Sequence, residues 1–231
     1  MSFILEISVE SVAAATAAER AGADRVELCA DLSAGGLTPS EQMMLQAREN
    51  VHIPIFVMIR PRPGNFVYDE SEFATMQSQI ALARRAKMDG IVLGILTERK
   101  TVDIVRTRRL VDLANPLPVT FHRAFDDLAD QSKALEDIIA TQAARILTSG
   151  GAPTAAQGSD RIRGLVETAG SRLIVMPGAG INAENFGDVR RRTGATEFHS
   201  GLGTVLPYGS SDSARFENEI RQIVACKAQA F

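Results

Sequence analysis

Residues 118–126 read PVTFHRAFD, so a strand-like run ends abruptly in three groups that can do chemistry: His122, Arg123 and Asp126. An imidazole titrates near neutrality, a guanidinium grips a carboxylate or phosphate through paired donors, and a carboxylate can orient either. The pattern recurs along the chain. FILEIS carries Glu6 and Ser8, VELC carries Glu27 and Cys29, and FVMIRPRPGNF carries Arg60 and Arg62. ILTSGG carries Thr148, Ser149 and Gly150, and EFHSGLG carries His199 and Ser200. Parallel sheets place their sites at the C-terminal ends of strands, so polar groups at several such ends point to one shared mouth.

Two kinds of chemistry follow from these residue types. Glu6, Glu27 and His122 can serve as general acids or bases, with Glu27 and His122 the expected pair. Burial raises a glutamate pKa, whereas a neighbouring arginine lowers it. Beside them lies a candidate anion site. It comprises Arg60, Arg123, the Thr148, Ser149 and Gly150 turn, the loop with Gly178 and Gly180, and the loop that follows His199 and Ser200. Glycine lets backbone N–H groups approach an oxyanion, and Asn182 can open a helix whose N-terminus favours negative charge. The plainer reading is that tight turns need glycine and that the arginines pair with Glu6, Glu27 or Asp126. Asp126, followed by Asp127, is expected to cap the next helix. His52 precedes a strand at the opposite face and reads as structural. A Glu/His set could also hold a divalent metal, but no H-x-H or H-E-x-x-H spacing supports one.

The elements that must position these groups are eight short β-rich runs: residues 3–8, 25–29, 54–60, 90–95, 118–122, 145–149, 172–177 and 196–200. Helical stretches such as 11–22 and 70–87 separate them. Eight βα units in one chain predict a closed (β/α)8 TIM barrel, a single domain over residues 1–231. Alternation along the strands turns Glu6, Glu27, Arg60, His122 and His199 towards the barrel mouth, with Ser8 and Cys29 one layer above the two glutamates. The loop at 61–69, which contains Asn65 and Tyr68, is long enough to cover that mouth.

The rest of the composition excludes several classes. A net charge of −3, with no basic stripe, argues against nucleic-acid binding. No apolar run suits a membrane span, and MSFILEISVES lacks the marks of a signal peptide. With 2 cysteines there is no disulfide framework, so a reducing cytoplasm is expected. The absence of Trp argues against an aromatic-lined sugar groove.

The stretches LEISVES, AGADRVELCADLSAGGLTPS, IRPRPGNFVYDESEF, GIVLGILT, PVTFHRAFDD, RILTSGG, MPGAGINAEN and EFHSG resemble the CutC family of copper homeostasis proteins from end to end. That resemblance implies a TIM barrel, a cytoplasmic location, a role in copper handling, copper ion as partner and a homo-oligomer, a dimer above all. Two positions depart from the family's pattern. Ser8 stands where many relatives have cysteine, and Asn65 stands in Pro63-Gly64-Asn65-Phe66 where relatives often have aspartate. Cu(I) selects thiolate and thioether, so Cys29 is the expected metal ligand, with Met58, Met176, His122 and His199 as candidate partners. Ser8 offers only a hydroxyl, Cys226 falls in the last helix, and the plainer reading of Cys29 is a small hydrophobe packed at a strand end. Two readings stand: copper homeostasis with Cu(I) as the bound ion, and an enzyme or sensor for a small phosphorylated or carboxylated metabolite.

Overall fold

A computed structural model of the chain describes residues 2–203, 205–206, 209 and 212–228. Eight parallel strands form its centre: β1 Ile4–Val9, β2 Arg25–Leu28, β3 Ile55–Met58, β4 Gly90–Leu93, β5 Val119–Phe121, β6 Arg145–Thr148, β7 Ile174–Pro177 and β8 Glu197–Ser200. Each strand pairs with the next in sequence from β1 to β7, and β8 pairs with β1. β7 and β8 meet at the remaining seam, so the sheet forms a (β/α)8 barrel, as the sequence predicts. The helices are α1 Val12–Arg20, α2 Glu41–Asn50, α3 Glu70–Arg85, α4 Ile104–Ala114, α5 Gln131–Ala140, α6 Ser159–Ala169, α7 Phe186–Thr193 and α8 Ser213–Ala225. Among the described residues, no helix is long and apolar enough to cross a membrane.

Local chemistry explains the alternation. Helix starts carry side chains that satisfy otherwise orphaned N–H groups. Ser11 accepts from Ala14, Ser40 from Met43, and Asp69 forms a reciprocal capping box with Glu72. The helices turn their apolar faces inward against the outward-facing residues of the strands, among them Leu5, Ile7, Val26, Ile55, Val57, Ile91, Phe121 and Ile146. Phe3, Phe186 and Phe198 close one part of this layer, with Phe3 and Phe186 ring centres 4.6 Å apart.

The inside of the barrel differs in kind. Its apolar residues include a small cluster of Cys29, Phe56, Met58 and Val92. Around them lie buried polar groups: Glu6, Arg25, Glu27, Thr120, Arg145, Glu197 and His199. The Phe56 ring is flanked by two guanidinium groups, with Arg25 Cζ 4.7 Å and Arg145 Cζ 4.9 Å from its centroid. Gly90 on β4 leaves the room for that ring, since a Cβ there would lie 2.5 Å from its atoms.

Strands are shorter than the sequence suggests at the mouth. The residues expected to end β2, β3 and β5 (Cys29, Arg60 and His122) lie beyond the ladders, where the backbone turns to present side chains. The expected capping role of Asp126 needs correction. A 3-10 turn at Arg123–Asp127 intervenes, α5 begins at Gln131, and Asp130 caps it by accepting from Lys133 N.

Packing inside the barrel is tight enough to test with one methyl group. Gly90→Ala forces Phe56 from between the two arginines and is expected to cost about 1–3 kcal/mol in urea unfolding. Gly164→Ala, on the open face of α6, is expected to gain about 0.5–1 kcal/mol. A neutral Gly90→Ala would contradict the packing described.

Candidate acid-base site at the barrel mouth

The site rests on an ion network at the heart of the barrel. Arg25 Nε donates to Glu6 Oε2 at 2.5 Å and Arg25 Nη2 to Glu197 Oε2 at 2.7 Å. Arg145 Nε lies 3.2 Å from the same Glu197 oxygen, as an ion pair rather than an aligned hydrogen bond. Two guanidinium groups thus face two carboxylates. Burial opposes ionisation of Glu6, but Arg25 and His199 outweigh it and hold its pKa at about 2.

Glu6 also fixes the next layer. Register places it opposite His199, and its Oε1 lies 2.7 Å from His199 Nδ1. With Glu6 ionised, Nδ1 is the donor, and Nε2 is left facing Glu27 Oε2 at 3.9 Å. Burial disfavours the imidazolium, yet Glu27 and Glu6 together raise the His199 pKa. Glu27 has the opposite balance. Burial dominates, and its pKa rises from the ordinary 4.5 to about 7 even though His199 pulls it down. One Glu27 oxygen receives Cys29 Sγ at 3.5 Å; the other, Oε1, is buried without a hydrogen-bond partner.

Above this layer a cavity of about 630 Å³ opens at the strand ends, lined by Ser8, Glu27, Arg60, His122, Arg123 and His199 among others. His122 is held by three contacts. Its Nδ1 accepts from Ala124 N at 3.2 Å, its ring lies 4.8 Å from that of Phe66, and Gly94 clears its path, since a Cβ there would meet the ring at 2.5 Å. Acceptance at Nδ1 places the proton on Nε2, which is buried without a partner. Burial and the positive charge of Arg60 lower the His122 pKa to about 3. His122 is therefore a neutral donor and not the proton-transfer partner of Glu27 that its type suggests. Among the residues present, His199 stands beside Glu27 instead.

Arg60 lies beside this donor. Its Nη1 donates to Ala34 O at 2.9 Å and Gly36 O at 3.2 Å, its Nη2 to Gly64 O at 2.9 Å, and its face rests 5.0 Å from the Phe66 centroid. Gly35 and Gly36, with φ of +88° and +84°, make the turn that brings these carbonyls to it. Among the described residues no carboxylate pairs with Arg60, although it is only 6% exposed, so its charge faces the cavity uncompensated. The 61–69 loop does reach the mouth, through Gly64 and Phe66. Its Arg62 is tied to Glu72, Asn65 and Val67 and supports the loop.

The expected anion loop after β6 is already filled. Asp126 accepts from Thr148 Oγ1 at 2.5 Å, Ser149 N and Oγ at 3.0 Å each, and Gly151 N at 3.1 Å. The donors of Thr148, Ser149 and the Gly150 turn hold the chain's own carboxylate, which also grips Arg123 Nε at 2.9 Å. Gly178 packs against Leu147 and His199, while Ser200 Oγ donates to Ile181 O at 2.5 Å and ties two mouth loops together. Of these loops only Ala179, Gly180 and Gly201 to Gly203 reach the cavity wall. Sequence reasoning missed Arg25, Arg145, Glu197 and Gly94. The signal was present: Arg25 precedes Glu27, and Glu197 precedes His199, by the two-residue step that keeps a face.

The donor set does not fit Cu(I). The Cys29 thiol is fully buried, and burial together with Glu27 pushes its pKa well above the usual range, which opposes the thiolate that Cu(I) selects. Met58 is near it, but Ser8 supplies an alcohol, and Cys226 sits at the end of α8. Glu6, Glu27 and His199 each bring a ligand atom within 4.8 Å of the others, a set suited by type to a divalent ion. Both Glu6 oxygens, however, already serve Arg25 and His199, so the cluster as built holds protons rather than offering three free ligands.

Comparison with known proteins decides the ancestry. The sequence profile of the CutC family matches residues 3–204. The chain belongs to the CutC family. A CutC family protein of Xylella fastidiosa strain Temecula1 is 44% identical over 97% of this chain and 89% of its own length. A human protein named copper homeostasis protein cutC homolog is 46% identical over 85% of this chain and 72% of its own. The crystal structure of a copper homeostasis protein CutC from Streptococcus agalactiae superposes with a TM-score of 0.82 at 35% identity, covering 86% of this chain and 98% of that one. Thiamine phosphate pyrophosphorylase of Pyrococcus furiosus, at 16% identity and a TM-score of 0.65, shares the barrel fold.

The raised Glu27 pKa has a consequence for stability. The folded state holds a proton that the unfolded chain has lost between pH 4.5 and about 7, so this contribution is present below 4.5 and lost as pH rises through 7. From pH 5 to pH 8 the wild type should lose roughly 3 kcal/mol more stability than Glu27→Gln in urea unfolding. Parallel losses in the two proteins would show that Glu27 is not so perturbed.

Proposed function

We propose that the barrel mouth binds a small anionic metabolite and performs acid-base chemistry on it, and that any part this chain plays in copper homeostasis runs through that metabolite rather than through a bound Cu(I) ion. The observation that carries the reading is the buried Glu27 carboxyl, tuned to about 7, with one oxygen free of hydrogen bonds, on a cavity wall that also holds the Arg60 cation, which has no carboxylate partner among the described residues. A desolvated carboxyl with a perturbed pKa in a cleft is a candidate functional group.

Three features support an anionic ligand. Arg60 supplies net positive charge in a water-poor wall, where it acts over a longer range than at the surface. His122 Nε2–H is a buried donor awaiting an acceptor. Arg123, whose side chain is about half exposed at the rim, adds a second guanidinium beside the cavity. A phosphate or carboxylate group satisfies all three. The reading also suits the poor Cu(I) donor set around Cys29 and Ser8, since a family role in copper handling then requires no thiolate.

The test pairs two titrations of the purified full chain. A panel of small phosphorylated and carboxylated metabolites, followed by thermal shift, should yield a stabilising ligand whose effect falls at least about tenfold in affinity in His122→Phe, in keeping with the loss of a hydrogen bond to a charged group. An anaerobic Cu(I) competition against a strong chelator should show no tight site. One equivalent of Cu(I) bound tightly and lost in Cys29→Ala, with no metabolite binding, would overturn the proposal in favour of direct copper binding.

A further inference from the structure

We infer that this mouth catalyses enolisation: removal and return of a proton at the carbon next to a carbonyl, in a small α-hydroxycarbonyl compound that carries a phosphate or carboxylate. The inference rests on the reading of the mouth as an anion-binding acid-base site and names the reaction that its groups are built for.

The argument starts from two of the unpartnered polar atoms on residues that line the cavity, Glu27 Oε1 and His122 Nε2; Arg60 Nε is a third. The first two are of opposite kinds, an acceptor and a donor. His122 does not exchange protons near neutrality, because its Nδ1 is committed to the Ala124 N–H and burial beside Arg60 keeps the ring neutral. A neutral imidazole N–H suits a different task. It hydrogen-bonds a carbonyl oxygen and strengthens that bond as the oxygen gains charge, without surrendering its proton. Glu27 supplies the complementary base, with a pKa matched to a proton that must be taken and given back near pH 7.

The electron count closes without a co-reactant. Glu27 carboxylate takes the proton from the carbon beside the carbonyl. The C–H pair becomes the C=C bond, and the carbonyl π pair moves to oxygen, where His122 Nε2–H and the Arg60 charge meet it. In the return step the neighbouring hydroxyl gives up its proton to that oxygen and becomes the new carbonyl. The C=C pair recovers the proton from Glu27 at the first carbonyl's carbon. Nothing is oxidised or reduced overall, and substrate and product are isomers. His199, held by Glu6 through Nδ1 and 3.9 Å from Glu27 through Nε2, is a positioning residue that sets the charge around the base. The apolar wall formed by half-buried Phe66 with buried Leu147 and Leu202 limits water at the enediolate.

The experiment uses the full chain in D2O with dihydroxyacetone phosphate as the probe. Binding is read by ligand-observed NMR, and exchange by loss of the carbinol proton signal. The planar enediolate mimic phosphoglycolohydroxamate serves as a second binding probe. The inference expects binding of both probes, exchange by the wild type, a drop of about 100-fold or more in Glu27→Gln, and a drop in His122→Phe with the probe still bound. Glu27→Asp, which keeps a carboxylate, should retain measurable exchange and guards against a loss caused by misfolding. Probe bound without exchange would overturn enolisation and leave the anion-binding reading standing. No binding of either probe would overturn that reading, and the inference with it. Equal exchange in wild type and Glu27→Gln would also overturn the inference, since the activity would then lie elsewhere.

Discussion

The position of Arg25 between Glu6 and Glu197 is the constraint on which the rest of the site depends. Charges this deep are tolerated only when paired and hydrogen-bonded, and removing one member of such a set leaves another buried and uncompensated. The network therefore specifies geometry more than it adds stability. It keeps Glu6 ionised, and an ionised Glu6 has one oxygen left to hold His199 Nδ1. That bond fixes the imidazole so that Nε2 meets Glu27, whose own charge is left without a guanidinium partner. The tuned carboxyl at the mouth is thus the last link of a chain that begins at the barrel's centre.

The cationic part of the wall is built by different means. Loops after β2 and β3 give their carbonyls to Arg60, so its fork is held firmly while its charge stays uncancelled. Asp126 does the reverse on the β6 side, filling donors that a ligand might have used and holding Arg123 at the rim. The result is a cavity whose wall carries both a base and fixed positive charge. A soft metal finds little there. The one buried thiol sits among carboxylates that keep it protonated, in a small apolar cluster with Phe56, Met58 and Val92.

Much of the fold was legible because period-two strands and polar strand ends are written locally. Each of the eight runs expected from the sequence contains a strand, and the inward positions of Glu6, Glu27, His122 and His199 follow from alternation. What was illegible depends on pairing across the barrel. Nothing local says that Arg25 rather than Arg60 neutralises Glu6, or that Asp126 turns back to the Thr148 loop instead of capping a helix. The state of His122 was hidden for the same reason: its protonation is set by the Ala124 N–H, by Arg60 and by burial together. Gly94 shows the limit clearly, since a glycine inside an expected strand run signals a close approach without naming what approaches.

The central claim is that Glu27 exchanges a proton near neutrality while His122 does not. The most direct measurement is an NMR titration with 13C-labelled glutamate carboxyls and 15N-labelled imidazoles. The account predicts a Glu27 carboxyl that titrates near 7 and a His122 that stays neutral with its proton on Nε2 down to about pH 4. A Glu27 that titrates near its ordinary 4.5, or a His122 that protonates between pH 6 and 7, would contradict it.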